Sequence, residues 1–271
     1  FESSVTGEKP IDWPLEDMFG NPPKTIMTDE SQNEKFEDLV YTDNKVDEYL
    51  DAVLQLEAVA AKDWLTNKVD RSVTGKVAQQ QNVGSLQLPL SNFGAMALDY
   101  RGKAGVATAV GHAPAVALID PAAGSRIAIA ESLANIVFAP IESGLAGLSL
   151  SANWMWPCKN KGEDARLYSA VEAVSDFACE LGINIPTGKD SLSMTQKYKD
   201  GVVYAPGTVI ISASGEVTDV KKHVTPNLLK QEGTELIYID LTKSELALGG
   251  SSFAQILNKL GQTTPDIKDA P

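Results

Sequence analysis

Glu131 and Asn135 stand four residues apart in the run Asp120–Asn135, read as Asp-Pro-Ala-Ala-Gly-Ser-Arg-Ile-Ala-Ile-Ala-Glu-Ser-Leu-Ala-Asn. On a helix that spacing places both side chains on one face, with Cβ atoms roughly 5–6 Å apart. Two oxygen-bearing groups so placed suit a hard cation such as Mg²⁺, which takes a few protein oxygens and completes its shell with water and phosphate. A solvated Glu/Asn face on a surface helix satisfies the same spacing, and the pair alone does not choose between them. The surrounding residues predict the helix itself. Asp120 suits an N-cap, Pro121 the first helical position, and Ala, Ile and Leu the body.

Three more clusters carry reactive groups. Gly188-Lys189-Asp190-Ser191 gathers a flexible backbone, a cation, a carboxylate and a hydroxyl, and reads as a loop that can meet phosphate, metal and substrate. It lacks the spacing of a Walker A loop, and an ordinary polar turn has the same composition. Gly249-Gly250-Ser251-Ser252 before a helix could cradle a phosphate at the helix N-terminus. Asp120–Arg126 could do the same, with Gly124 for close backbone approach and Arg126 as a bidentate donor. A turn with a cap accounts for each equally well. His112 and His223 are the only histidines, and neither sits in a ligand-spaced cluster, so both read as structural or exposed. Trp154 and Trp156 read as core, and Cys158, with no neighbouring histidine, is not read as a nucleophile.

The chain that must position these groups has 271 residues, with 43% hydrophobic and 22% charged, the balance of a globular protein. A net charge of −13 argues against a nucleic-acid or anionic-membrane surface but leaves room for a small anion held locally. Two cysteines, Cys158 and Cys179, make no disulfide framework and point to a reducing compartment. No apolar run reaches ~18 residues and no signal peptide is visible, so a cytoplasmic location without membrane contact is expected. The first residue is Phe1 and the last stretch, Thr263–Pro271, simply stops, so the chain is expected to be an excised piece of a longer protein.

Phe1–Tyr41 is broken by Pro10, Pro14, Pro22 and Pro23 and reads as an arm. Val46–Leu56 has helical spacing, with Ala58–Leu65 extending it or starting a second helix. Asp70–Gly75 reads as a turn. Leu86–Leu90 and Gly94–Leu98 read as strand pieces around the turn Ser91-Asn92. Gly105–Val110 is an apolar segment, and Pro114–Ile119 a buried strand feeding the Asp120 helix. Leu148–Met155 reads as a strand, and Asp164–Leu181 as the clearest helix, with Asp164 as N-cap and Gly182 as stop. Thr208–Ser212 is a strand core. Beyond Lys221-Lys222-His223 the chain starts again, with Glu235–Leu241 as a strand and Phe253–Leu260 as a helix.

Several of these runs together resemble one family: Asp70–Gly75 (DRSVTG), Val83–Leu90 (VGSLQLPL), Ala117–Arg126 (ALIDPAAGSR), Glu131–Ile136 (ESLANI), Leu150–Met155 (LSANWM), Gly162–Tyr168 (GEDARLY) and Pro186–Met194 (PTGKDSLSM). They resemble the synthetase portion of the large, single-chain phosphoribosylformylglycinamidine synthases of purine biosynthesis. The resemblance implies an α/β (α+β) fold, an AIR-synthase-like N-terminal-type domain whose mainly antiparallel sheet carries helices on one face. It implies a connector at 1–59, that domain, the second copy in the parent, at 60–222, and the beginning of a C-terminal-type domain at 223–271. The partners implied are the remaining domains of the same chain: the first AIR-synthase-like copy, whose sheet meets this one, and a glutaminase domain that supplies ammonia. An isolated piece with its sheet face bared is expected to self-associate.

The family's reaction joins formylglycinamide ribonucleotide, ATP and glutamine into formylglycinamidine ribonucleotide, ADP, phosphate and glutamate. ATP phosphorylates the amide oxygen, a poor leaving group, and ammonia displaces the phosphate, with Mg²⁺ spreading the charge. By resemblance, Glu131 and Asn135 hold Mg²⁺ at an auxiliary site that retains ADP for structural reasons, with Ser91 and Asn92 touching nucleotide and metal. The family often has Asp where this chain has Asn92, and a neutral amide attracts Mg²⁺ less. The remaining Asp and Ser ligands are expected past Pro271. The Gly188–Ser191 loop is assigned to the catalytic cleft: Gly188 to nucleotide, Lys189 and Asp190 to phosphate and metal, Ser191 to substrate. Two other readings stay open, a scaffold domain without ligand chemistry of its own and a separate ATP-using member of the AIR-synthase superfamily.

Overall fold

Alternation of buried and exposed residues along Thr208–Val217 marks the middle of the molecule. Val209, Ile211, Ala213 and Val217 are buried, while Ser212 and Glu216 between them face outward. The structure is a computed structural model that describes residues 1–28, 30–32, 34–66, 75–228, 230–239 and 246–267. In chain order it contains helices α1 (Leu15–Phe19), α2 (Val46–Leu54) and α3 (Asp63–Thr66), then strands β1 (Val77–Gln79), β2 (Phe93–Ala97) and β3 (Gly105–Gly111). Helices α4 (Pro114–Ile119) and α5 (Pro121–Ile136) precede β4 (Leu148–Met155), α6 (Glu163–Leu181) and β5 (Asn184–Ser191). The hairpin β6 (Thr195–Tyr198) and β7 (Gly201–Tyr204), strand β8 (Thr208–Val217) and helix α7 (Ser252–Ile256) complete it.

Six strands form one sheet in the order β1-β2-β3-β8-β4-β5. Four of the neighbouring pairs are antiparallel, and only β4 and β5, joined through α6, run parallel. Helices α5 and α6 cover one face. Ala107 and Ala109 of β3, Leu150 and Ala152 of β4, and Val209 and Ile211 of β8 pack there against Ile129 and Ile136 of α5 and Val174 and Phe177 of α6. The opposite face stays open, with Met96, Val106 and Val110 exposed beside Thr108, Ser212 and Glu216.

Several sequence expectations change here. Pro114–Ile119 is a helix, not a strand. Pro114 sits at its first position, and Ala117 N–H and Asp120 N–H reach back to the carbonyls of Ala113 and Val116. A six-residue apolar run has no period that separates the two forms. Leu86–Leu90 forms no strand, and only an isolated bridge joins Val83 and Leu88 around a tight turn with Gly84 and Gln87 at positive φ. Gly188–Ser191 is the end of β5, not a loop. Gly162, in the left-handed region, caps α6; Asp164 lies inside the first turn and accepts instead from the Thr28 N–H. Residues 235–239 carry no regular structure, 240 and 241 lie outside the described residues, and α7 ends at Ile256 rather than Leu260. The turn expected at Asp70–Gly75 also falls largely outside them.

Candidate functional site

Helix α5 starts and ends on specific contacts. Asp120 Oδ1 accepts from the Ala122 and Ala123 N–H groups, 2.9 Å each, so the cap is the one the sequence predicts. At the far end the helix lies against the terminus of β3. A Cβ on Gly111 would stand 2.1 Å from the Ala128 carbonyl oxygen and 2.4 Å from the Ser132 nitrogen. Only a glycine there lets strand and helix meet so closely. That approach brings the strand backbone to the two residues of interest. Glu131 Oε2 accepts from the His112 N–H at 2.6 Å, and Asn135 Nδ2 donates to the Val110 carbonyl at 2.9 Å.

The turn before β2 arrives at the same place. Phe93, directly after the turn, pairs with Ala109 of β3. Asn92 is exposed, whereas Ser91 is engaged: its hydroxyl accepts from Gln79 Nε2 at 2.6 Å and donates to the Phe93 carbonyl at 3.0 Å. Glu131 and Asn135 thus meet the end of β3 from the helix side, and the Ser91-Asn92 turn leads into the neighbouring strand β2. No group of three or more His, Cys, Asp or Glu residues arranged for a metal occurs among the described residues. One carboxylate with two amides is a sparse oxygen set. It fits Mg²⁺ that keeps water and phosphate oxygens, and it does not fit a caged transition metal.

The residues Gly188–Ser191 lie on β5, at the edge of the sheet. Register pairs Ala152 with Gly188, Asn153 with Lys189, Trp154 with Asp190 and Met155 with Ser191. Alternation then divides the four. Lys189 and Ser191 share the open face, where Lys189 Nζ donates to Ser191 Oγ at 2.9 Å, beside an Asn153 whose buried Oδ1 has no partner among the described residues. Asp190 faces the other way, toward the partly buried Cys158. Burial first, then Asp164, Glu163 and Asp190, push that thiol up to about 12, so it is no nucleophile at neutral pH. Gly188 is required by packing, since a Cβ would stand 2.2 Å from the Ala152 carbonyl oxygen. The neighbouring Glu163 carboxyl is raised by burial, opposed by Arg166, which also donates to the Ala117 and Leu118 carbonyls.

A profile of the FGAR-AT PurM_N-like domain matches residues 61–216, more than half of the chain. The chain belongs to that family. Curated relatives agree: a human phosphoribosylformylglycinamidine synthase is 41% identical over 95% of this chain, and a probable chloroplastic/mitochondrial one from Arabidopsis thaliana 39% over 96%. A probable phosphoribosylformylglycinamidine synthase from Caenorhabditis elegans is 44% identical over 81%. The chain spans 19%, 19% and 17% of the length of these three. Among solved structures, Thermotoga maritima PurL complexed with ADP has a TM-score of 0.49 at 17% identity, covering 78% of this chain and 30% of that one, a likeness too loose to argue from.

The other phosphate candidates are all engaged in packing or in bonds to other parts of the chain. Gly124 is where α5 packs on α4: its Cβ would lie 2.7 Å from Ala117. Arg126 is committed to a bidentate pair with Asp266, 2.8 Å for each bond. Gly249 and Gly250 press on the backbones of Thr263 and Val116, and Ser251 caps α7 through the Ala254 N–H. Trp156 is fully buried, as core. His112 takes part through its backbone N–H rather than its ring. Sequence reasoning missed Val110, whose carbonyl holds Asn135, and Gly111, which lets β3 approach α5. The signal for them was a glycine closing a strand of alternating small residues. No described helix is long and apolar enough to cross a membrane.

Proposed function

We propose that the chain is part of a large phosphoribosylformylglycinamidine synthase, an ATP-dependent ligase that turns formylglycinamide ribonucleotide, glutamine, ATP and water into formylglycinamidine ribonucleotide, glutamate, ADP and phosphate. The 41% identity over 95% of the chain with a relative of that name carries this reading. Within it, residues 60–222 are the second AIR-synthase-like N-terminal-type domain, 1–59 the connector from the preceding domain, and 223–271 the start of the following one. The partners are the first copy and the glutaminase domain of the same polypeptide, in the cytoplasm.

Two sites divide the work in this proposal. Glu131 and Asn135, with Asn92 as a weaker neutral ligand, hold Mg²⁺ on a retained nucleotide, and Ser91 borders it. When bound, the ion neutralises phosphate charge and steadies the corner of α5 and β3. Lys189 and Ser191 reach the catalytic cleft from the open face, Lys189 toward phosphate and Ser191 toward substrate. Asp190 stands on the opposite face of β5 and takes its metal contact only if β5 turns.

The test is the full-length enzyme with Lys189→Ala. Formylglycinamidine ribonucleotide formation is expected to fall by an order of magnitude or more, in line with a lost phosphate contact, while glutamine hydrolysis persists. Unchanged synthesis removes the catalytic role of β5. A scaffold reading is favoured by one observation. Glu131 and Asn135 already bind the β3 backbone and so serve the fold without any ligand. Absence of bound nucleotide from the full-length protein would leave only that role.

A further inference from the structure

We propose that the terminus of β3 is a positioning device for the shelf that Glu131 and Asn135 offer to Mg²⁺, and that residue 135 must be an amide because of it. The inference rests on the shelf reading above. A backbone carbonyl can only accept a hydrogen bond, so the group that Asn135 turns toward Val110 must be its NH2, at 2.9 Å. The side-chain oxygen Oδ1 is thereby turned away from the strand, with no other hydrogen bond among the described residues. Likewise the His112 N–H takes Glu131 Oε2 at 2.6 Å and leaves Oε1 for a ligand. Val110 and His112 flank Gly111, and Gly111 is what lets the strand approach α5, since its Cβ would meet Ala128, Ser132 and Glu131 within 2.1, 2.4 and 3.1 Å.

One strand end therefore orients two ligand side chains from behind, as outer hydrogen bonds orient metal ligands generally. The consequence runs against simple charge counting. A carboxylate at 135 would add a negative charge for Mg²⁺ but would set two acceptors face to face at Val110, and the side chain would have to swing off its position.

The experiment uses the full-length synthetase and reads retained nucleotide, by chromatography after desalting, against free Mg²⁺. Glu131→Ala and Asn135→Asp are measured together, with melting in chelator as a check of folding. The expected result is nucleotide loss for Glu131→Ala and, for Asn135→Asp, a need for about 10–100-fold more Mg²⁺ with chelator melting near that of the parent. Retention by Asn135→Asp at parental Mg²⁺ or below, with loss in Glu131→Ala, overturns the device and leaves the shelf standing. Retention by Glu131→Ala overturns the shelf itself. Should Asn135→Asp not fold, hydrogen exchange of the His112 amide in the unmodified, chelated protein decides. Protection is expected, and exchange at the rate of an open amide overturns the device.

Discussion

The corner where α5 meets β3 and the edge strand β5 hold the two sets of reactive residues, and they are built in opposite ways. At the corner, Glu131 and Asn135 project from a sixteen-residue helix whose inner face, Ala128, Ile129, Ser132 and Ile136, is buried, and both side chains are tied to backbone. On β5, Lys189, Asp190 and Ser191 stand on a strand with a neighbour on one side only, and the Lys189 side chain bonds to Ser191 of the same strand rather than to the core. Pro186 lies where the pairing of β5 slips by a residue against β4, a place where a proline removes no ladder bond. The difference teaches that position in the sheet decides what a reactive group can do. In the division of roles proposed above, the ligand that must stay put is fixed from the core, and the group that must follow a reacting phosphate sits on an edge that can adjust.

Mutations can break that comparison, and the core should respond most. Ile129 is fully buried under the corner, so Ile129→Ala should cost about 2–5 kcal/mol in denaturant unfolding. Ile185 of β5 is only partly buried, and Ile185→Ala should cost clearly less. Equal losses would mean that β5 is as fixed as the corner. The two close-packed glycines sharpen the point. Gly111→Ala should destabilise by about 1–3 kcal/mol, whereas Gly188→Ala, despite a comparable clash, should cost less because an edge strand can move away.

Next comes the cap. Asp120→Ala removes the acceptor of two N–H groups and should cost about 1 kcal/mol, read as a lower denaturation midpoint with an unchanged slope. The smallest effect is chemical. Thiolate is the reactive form, and the Cys158 thiol stays protonated up to about 12, so alkylation at pH 8 should reach the exposed Cys179 first. Asp190→Asn removes one of the charges that raise Cys158 and should speed its alkylation. No change would show that Asp190 does not face it.

Much of the corner was legible in the sequence, because local rules determine it. Asp120, Pro121 and the i, i+4 pair of Glu131 and Asn135 fixed a capped helix with one oxygen-bearing face. Gly182 likewise ended α6 as expected, in the left-handed region. Of the elements that differ from the sequence reading, two show the physical reason most clearly. Pro114–Ile119 is too short and too uniformly apolar to show a period, and as a helix it packs against Gly124 of α5. Gly188–Ser191 has the composition of a turn, and it is a strand because β4 supplies a parallel partner, a long-range fact that no local pattern contains. The division of Lys189 and Ser191 from Asp190 follows from that strand and could not be read before it. The same holds for Val110 and His112, which act through backbone atoms that carry no side-chain signature.

The measurement that bears most directly on the account is the nucleotide content of the full-length enzyme with Glu131→Ala and with Lys189→Ala, purified side by side. If the corner retains nucleotide and the edge does chemistry, Glu131→Ala loses its bound nucleotide, whereas Lys189→Ala keeps it and loses synthesis. Retention of nucleotide by Glu131→Ala, or its loss from Lys189→Ala alone, would contradict the division of roles.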